Sequence, residues 1–156
     1  MQTEYPAWKL VCCATLTVAF VPACGPQRPT ITPASGRVLM NGHPLTGVDG
    51  FVRVEPAGAR AATGAIDRET GAFSLTTFAR NDGCVAGTHP VAVVANVTVG
   101  GRLVSLIPEK YADSATSGLT VAVAGRTADL TIALEGEIKP APQPSEADLK
   151  NDTPGF

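Results

Sequence analysis

The reactive side chains of this sequence stand apart and do not form the groups that catalysis requires. His43 and His89 are the only histidines, and a proline follows each of them. Ser114, Thr116 and Ser117 offer hydroxyl groups, but no Gly-x-Ser-x-Gly turn surrounds them, and neither histidine stands in a motif that would make it their base. The spacing favours a turn residue for His43 and a residue at the start of a strand for His89. The sequence therefore predicts a protein that is not an enzyme.

Acidic side chains and cysteines do not indicate a metal site either. Asp67, Glu69 and Asp82 are candidate calcium ligands, but Asp67-x-Glu69 lacks the closely spaced further oxygens of a calcium-binding loop. Acids are common at turns because their carboxylates accept hydrogen bonds from nearby backbone N–H groups. The cysteines form no CxxC pair that would hold zinc. We therefore predict no metal ion and no cofactor.

The charge balance bears on the kind of partner. The chain has 156 residues, of which 17% are charged and 44% hydrophobic, as is ordinary for one globular domain. Its formal net charge is -2, so it has no basic field that would attract a polyphosphate backbone. Nucleic acid is therefore not an expected partner.

An apolar segment near the amino terminus predicts export. Residues 10–21, LVCCATLTVAFV, are uncharged and follow Lys9. They are fewer than the roughly 20 residues of a membrane-spanning helix and are typical of the apolar centre of a secretory signal. The run ends in Val-Pro-Ala-Cys, which resembles the lipobox of bacterial lipoproteins. That resemblance implies a signal peptide over residues 1–23, lipid attachment at Cys24, and a membrane-anchored location at the bacterial cell envelope, facing the periplasm or the exterior. A general secretory signal cut near Ala23, or an uncleaved anchor, is the alternative.

Cysteine usage agrees with this interpretation. Cys12 and Cys13 lie in the removable segment and Cys24 would carry the lipid, so Cys84 remains alone in the mature domain. The surrounding Asn-Asp-Gly and a nearby glycine are typical of surface chain, and we therefore predict a reactive lone thiol. A bridge between Cys24 and Cys84 stays open only if Cys24 is not acylated.

Proline-rich segments delimit a single domain. Residues 24–33 contain three prolines and are predicted to be an extended spacer. Residues 136–156 are acidic, rich in proline and without an apolar period, so they are predicted to be a disordered tail. The folded domain is then residues 34–135.

The sequence of the domain predicts a series of short strands. Asn41 and Gly42 lie between two apolar arms and readily take the positive φ values of a type I′ hairpin turn. Val52 and Val54 then alternate with polar residues, as in a half-buried strand. The longest β-branched run is residues 91–99. Together with the remaining runs, these patterns predict an all-β, antiparallel sandwich of seven or eight strands without a helix.

Several motifs stand in a particular order: Gly-Arg-Val at 36–38, Asn-Gly-His-Pro-Leu at 41–45, Phe-Ser-Leu at 73–75, and Ile-Pro-Glu-Lys-Tyr-Ala-Asp at 107–113 followed by Thr-Ser-Gly-Leu-Thr-Val at 116–121. In this order they resemble the carboxypeptidase regulatory-like, or transthyretin-like, domain of small bacterial lipoproteins. The resemblance spans residues 36–134. It implies a prealbumin-like sandwich that is an accessory, non-enzymatic domain.

Loops on a rigid scaffold carry most recognition, so the loop 82–88 and the connection 107–118 are the predicted contact regions. In the first region we expect Asp82 to contact a partner. In the second we expect Lys110 and Tyr111 to do so, because a charge beside an aromatic ring is common at interfaces. Packing of Tyr111 inside the domain is the alternative.

Two functions are compatible with these features. The first is a non-catalytic, lipid-anchored envelope protein whose sandwich is a binding or structural module for envelope proteins or glycans. The second is a carbohydrate-binding accessory domain, which requires an exposed aromatic ring. Phe51 and Phe78 fall on the strand faces opposite the Val and Leu sets, so they lie either on the surface or against a second layer.

Overall fold

A computed structural model describes residues 29–139, which fold mostly into β-strands. The predicted signal peptide, Cys24, the spacer up to residue 28 and the tail beyond residue 139 lie outside the described residues. Within them there are eleven strands: β1 (Ile31–Thr32), β2 (Ala34–Met40), β3 (His43–Pro44), β4 (Asp49–Val54), β5 (Ala62–Ala65), β6 (Ala72–Ser74), β7 (Cys84–Val85), β8 (Gly87–Val99), β9 (Arg102–Ser105), β10 (Leu119–Val123) and β11 (Thr127–Leu134). The all-β prediction is confirmed. The predicted number of strands, seven or eight, is too low. β1, β3 and β7 have two residues each, which is too few for an alternating pattern to show in the sequence.

The prediction of no helix is wrong for the connection between β9 and β10. It contains a 3-10 helix, Glu109–Ala112, and the single-turn helix α1, Ser114–Ser117. The Asp113 carboxylate caps α1 by accepting a hydrogen bond of 2.8 Å from the N–H of Ala115. Elements of four residues are too short to show a helical period, which is why the sequence did not reveal them. No helix among residues 29–139 is long and apolar enough to cross a membrane.

The longer strands form two sheets. The β8 sheet has the order β10-β8-β4-β5, and β9 also pairs with β8. The β2 sheet has the order β11-β2-β3, and β6 also pairs with β2. β1 and β7 form a separate pair. All these pairs are antiparallel except β11 with β2, which is parallel. The antiparallel prediction is therefore correct apart from this one pair.

The first hairpin forms as predicted. Asn41 has φ 52° and Gly42 has φ 84°, which are the two positive values of a type I′ turn. Met40 then pairs with His43 across the turn. The side-chain amide of Asn41 also donates to the carbonyl of Gly136 at 3.0 Å and accepts from its N–H at 3.2 Å. The hairpin thus fixes the chain that follows the last strand.

One apolar core lies between the two sheets. The β2 sheet contributes buried residues such as Val38 and Ile132, and the β8 sheet contributes residues such as Val52 and Val93. Full burial of a side chain of this size stabilises the fold by about 1.5–3 kcal/mol. The predicted alternation of β4 is confirmed, because Val52 and Val54 are fully buried.

A corner joins the two sheets. After β6 the chain leaves β2 and reaches β5, the edge strand of the β8 sheet, where Thr76 pairs with Thr63. At Gly64 an added Cβ would lie 2.6 Å from the carbonyl oxygen of Ser74, so the two segments approach closely only because this residue is glycine. The outer face of the β2 sheet therefore continues onto β5.

Candidate functional site

An open groove follows this corner on the outer surface of the domain. Its volume is about 830 Å³. Small and polar side chains dominate its lining, and we call it the polar groove; its polar residues are Ser35, Arg37, Thr63, Asp67, Thr70, Ser74, Thr76, Arg80, Asn81, Asp129 and Thr131. A concavity of this size lies within the range of ligand sites, about 300–1,000 Å³.

The alternation of β2 explains how polar side chains reach the groove. Val38 and Met40 point into the core, so Ser35 and Arg37 point outward. Arg37 is paired with Thr131 of β11 on one side and with Ala72 of β6 on the other. Paired residues face the same side of a sheet, so Thr131, Arg37 and Ala72 form one row across the three strands.

The edge of the groove on β11 depends on a close backbone approach. The pairing of β11 with β2 is irregular between Thr127 and Leu130, and Asp129 lies in this stretch. At Gly36 an added Cβ would overlap the carbonyl group of Leu130. Glycine at this position therefore allows β11 to lie against β2 and to bring Asp129 to the groove.

Arg80 and Asn81 lie on a turn that Asp82 stabilises, which we call the Asp82 turn (residues 77–83). The Asp82 carboxylate accepts hydrogen bonds from the N–H groups of Thr77 at 2.7 Å, and of Phe78 and Ala79 at 2.9 Å each. Desolvation raises the pKa of Asp82, but these backbone hydrogen bonds outweigh it and the pKa is lowered overall. The negative charge of Asp82 is thus used to hold the turn.

The groove contains two arginines that have no ion pair within the described residues. The ion pairs there join Arg53 to Glu55, Arg68 to Asp49 and Lys139 to Glu109. Asp67 is occupied by its own turn, since its Oδ1 accepts hydrogen bonds of 2.7 Å from the Thr70 hydroxyl and 2.8 Å from the Thr70 N–H. These bonds, the hydroxyl bond first, lower the pKa of Asp67. Arg37 and Arg80 are therefore available to a ligand.

Two exposed aromatic rings are neighbours of lining residues, although neither ring lines the groove itself. Phe51 is 41% exposed and pairs with Ala65, which lines the groove. Phe78 is 60% exposed and follows Thr76, another lining residue, by two positions. The guanidinium of Arg60 lies 5.5 Å from the centroid of the Phe78 ring. Of the two placements that the sequence left open for these rings, the surface one is correct.

The predicted contact residues do not line the groove. Lys110 is exposed, and its ammonium lies 4.7 Å from the centroid of the Tyr111 ring. Tyr111 is only 3% exposed, and its hydroxyl both donates to the carbonyl and accepts from the N–H of Glu135 at 2.9 Å. Of the two placements that the sequence left open for Tyr111, packing inside the domain is the one observed, because the ring belongs to the core. Asp82 contributes to the groove only by stabilising the turn that carries Arg80 and Asn81. Cys24 is outside the described residues.

Cys84 is not the surface thiol that the sequence predicted. It is fully buried, pairs with Thr32 across β1 and β7, and is the only cysteine among residues 29–139. Desolvation raises the pKa of its thiol. The signal for burial is the preceding Gly83, where an added Cβ would overlap the Thr32 carbonyl. That glycine marks close packing against β1 and not an open loop.

The other reactive side chains make structural hydrogen bonds. The ring of His89 is 8% exposed, and its Nε2 lies 2.9 Å from the carbonyl oxygen of Val85. The hydroxyl of Ser117 donates to the carbonyl of Val91, and that of Ser114 donates to Glu55. Residues 29–139 contain no group of three or more His, Cys, Asp or Glu side chains that could hold a metal ion.

The sequence did not reveal the groove, because its lining comes from positions between 35 and 131 that meet only through long-range pairing. One local signal was present: Ser35 and Arg37 alternate with Val38 and Met40, which assigns them to an outer face.

No known protein family, curated protein or solved structure matches this chain.

Proposed function

We propose that this protein is a non-catalytic binding module, anchored by lipid at the bacterial cell envelope, that acts through the polar groove. The observation that carries the proposal is the groove itself, a concavity of about 830 Å³ built on paired strands and lined by polar side chains. Paired strands and hydrogen-bonded turns fix the backbone that carries the lining, which reduces the cost of ordering it when a ligand binds. The anchor is supported by the resemblance of residues 21–24 to a lipobox.

The fold that we propose within the all-β class is the prealbumin-like sandwich of carboxypeptidase regulatory-like domains. Two observations support it: two sheets share one core, and the motifs at 36–38, 41–45 and 107–113 stand in the order of that domain. The non-catalytic part of the proposal is supported by the side chains of Ser114, Ser117 and His89, because their hydrogen bonds are made to other parts of the domain.

Photo-cross-linking of the full chain in bacteria tests the contact role. A photoreactive residue replaces Thr131 in the groove, Lys110 in the predicted contact region, or Thr120, an exposed control on β10. We expect specific adducts at Thr131 and none above background at Thr120. Adducts at Lys110 alone would move the contact surface away from the groove. Equal, sparse labelling at all three sites would leave a passive structural role, and turnover of a substrate by the purified protein would refute the non-enzymatic proposal.

The second candidate is a carbohydrate-binding domain, which the exposure of Phe51 and Phe78 favours. A flat ring covers the apolar face of a pyranose, while hydroxyl and amide side chains such as those of Thr131 and Asn81 bond its hydroxyl groups. Affinity electrophoresis of the full chain through gels that contain envelope polysaccharide tests this. We expect retardation that Phe51→Ala and Phe78→Ala each reduce.

The matched control for these variants is Leu103→Ala. Leu103 is 68% exposed but lies on β9 and does not line the groove. Loss of one exposed apolar side chain at this position should leave the retardation unchanged. Retardation that all three variants reduce equally would indicate nonspecific adhesion and would count against sugar binding.

A further inference from the structure

The charges of the polar groove indicate which sugars it prefers. Arg37 lies in the middle strand of the β2 sheet, between the hydroxyl of Thr131 and the small side chain of Ala72. It is exposed and takes part in no ion pair within the described residues. An arginine with small neighbours on both sides can present its planar group to a ligand. Guanidinium binds carboxylates through two parallel hydrogen bonds.

Arg80 adds a second cation on a turn that is fixed in advance. Besides the three N–H groups that bind the Asp82 carboxylate, the N–H of Asn81 donates to the Thr76 hydroxyl at 2.9 Å. Asn81 itself has φ 59°, a value that the closed turn imposes. A fixed backbone reduces the entropy that binding would cost. Arg80 is thus held beside Thr76 at the wall of the groove.

The groove also contains two acids, Asp67 and Asp129, which balance its two cations in number but form no ion pair with them within residues 29–139. Asp67 is engaged by Thr70 in its own turn, and Asp129 forms no ion pair within residues 29–139. An exposed carboxylate can accept hydrogen bonds from sugar hydroxyl groups. A ligand that satisfies the whole lining therefore carries both carboxylates and hydroxyl groups. A neutral glycan would form no ion pair with the two guanidinium groups, which would stay hydrated, and an acidic peptide would lack the hydroxyl groups.

We infer that the polar groove binds an acidic glycan chain, with Arg37 and Arg80 pairing with the carboxylates of uronic-acid-type residues and with Phe51 and Phe78 stacking on sugar rings. This inference rests on the proposed carbohydrate-binding function. The groove is open to solvent, so a polymer can pass through it, and a single sugar would contact only part of its lining.

Binding of defined probes to the full chain, purified in detergent, tests the inference. The probes are a decamer of galacturonic acid, a maltodextrin decamer and a decamer of glutamic acid. We expect the galacturonate probe to bind at least about tenfold more tightly than either of the others, which is the size of one charge-assisted pair. Raising the salt concentration should weaken its binding, because exposed charges are screened.

Substitutions locate the binding. Arg37→Gln and Arg80→Gln should each weaken galacturonate binding about tenfold, while Arg37→Lys, which keeps the charge but not the planar fork, should weaken it less. Arg102→Gln is the matched control, since Arg102 is exposed on β9, outside the groove. An unchanged melting temperature shows that each variant is folded.

The remaining outcomes separate this inference from the function on which it rests. Equal binding of maltodextrin would overturn the acidic class while retaining sugar binding. Equal binding of the glutamate decamer would overturn the glycan assignment. Absence of binding by all three probes, together with cross-links at Thr131, would refute the acidic glycan and leave the contact function in place.

Discussion

Thr63 and Thr76 exchange two backbone hydrogen bonds, of 2.9 and 2.8 Å, across the corner between the two sheets. These bonds join the edge of the β8 sheet to the segment that follows β6. The groove exists because of this junction, since Thr63 and Thr76 both line it. Phe51, on β4, is paired with Ala65 of β5, and Phe78, in the Asp82 turn, follows Thr76 by two positions, so both exposed rings are neighbours of lining residues.

Gly64→Ala should destabilise this corner. The added Cβ would lie 2.6 Å from the carbonyl oxygen of Ser74, and backbone atoms must move to accommodate it. Overpacking of this kind costs about 1–3 kcal/mol. Thermal unfolding should show a lower melting temperature, whereas Ala65→Ser, at the exposed neighbouring position, should leave it unchanged. Equal melting temperatures for Gly64→Ala and the unmodified chain would argue against the close approach.

Asp82→Asn should destabilise the fold at neutral pH by about 1 kcal/mol, the scale of a hydrogen bond to a partly exposed charge. The pKa of Asp82 is lowered from 3.8 in the fold, so its contribution is present above that value and is lost as the pH falls through the lower, folded pKa. The difference between variant and unmodified chain should therefore shrink in acid. Urea unfolding at a series of pH values measures it.

The control for this experiment is Asp129→Asn, because Asp129 makes neither an ion pair nor a side-chain hydrogen bond among residues 29–139. Its free energy of unfolding should match that of the unmodified chain at each pH. A stability difference for Asp82→Asn that persists unchanged below its folded pKa would show that the charge is not what holds the turn.

Tyr111→Phe should lower stability by about 1 kcal/mol, because the N–H and carbonyl groups of Glu135 each lose the hydroxyl partner that they have in the fold. Urea unfolding gives the size of the loss. Lys110→Ala removes an exposed side chain and should change stability by less than about 0.5 kcal/mol. If instead Lys110→Ala proved the more damaging, the packing role of Tyr111 would be wrong.

Cys84 should resist maleimide in the native protein and react after denaturation. Full burial keeps the reagent away, and the raised pKa of the thiol lowers the amount of reactive thiolate. The measurement uses a chain in which the other cysteines are replaced by serine. A second such chain, with Cys84→Ser and Thr46→Cys, provides an exposed thiol as control and should react at once. Rapid labelling of Cys84 in the native protein would contradict its burial and would favour the surface thiol that the sequence predicted.

Local patterns were enough to predict the elements whose causes are local. Asn41 and Gly42 indicate their turn by residue type alone, and Val52 and Val54 indicate the buried face of β4 by alternation. The groove could not be predicted in this way, because Arg37 meets Thr131 only through a parallel pairing between the first long strand and the last. No local pattern specifies such a pairing.

Two burials that turn and loop residues do not reveal have the same physical origin. Cys84 follows Asn-Asp-Gly, which predicts a surface position, but those residues close a tight turn that folds back onto β1. Tyr111 lies in a connection between strands, which leaves both contact and packing open, and its ring packs in the core while its hydroxyl bonds to Glu135. In both cases the chain outside the main sheets covers the core, which turn residues alone do not show.

The first hairpin contacts the end of the last strand, so the β2 sheet needs both ends of the domain to be complete. Asn41 contacts Gly136, 95 positions later, and β2 pairs with β11 along most of its length. A nascent chain that has released β2 through β10 therefore still has an open edge on β2, where another chain can pair. The β2 sheet is completed only when β11 emerges, so we expect a chain that lacks β11 to leave the edge of β2 open to pairing with other chains.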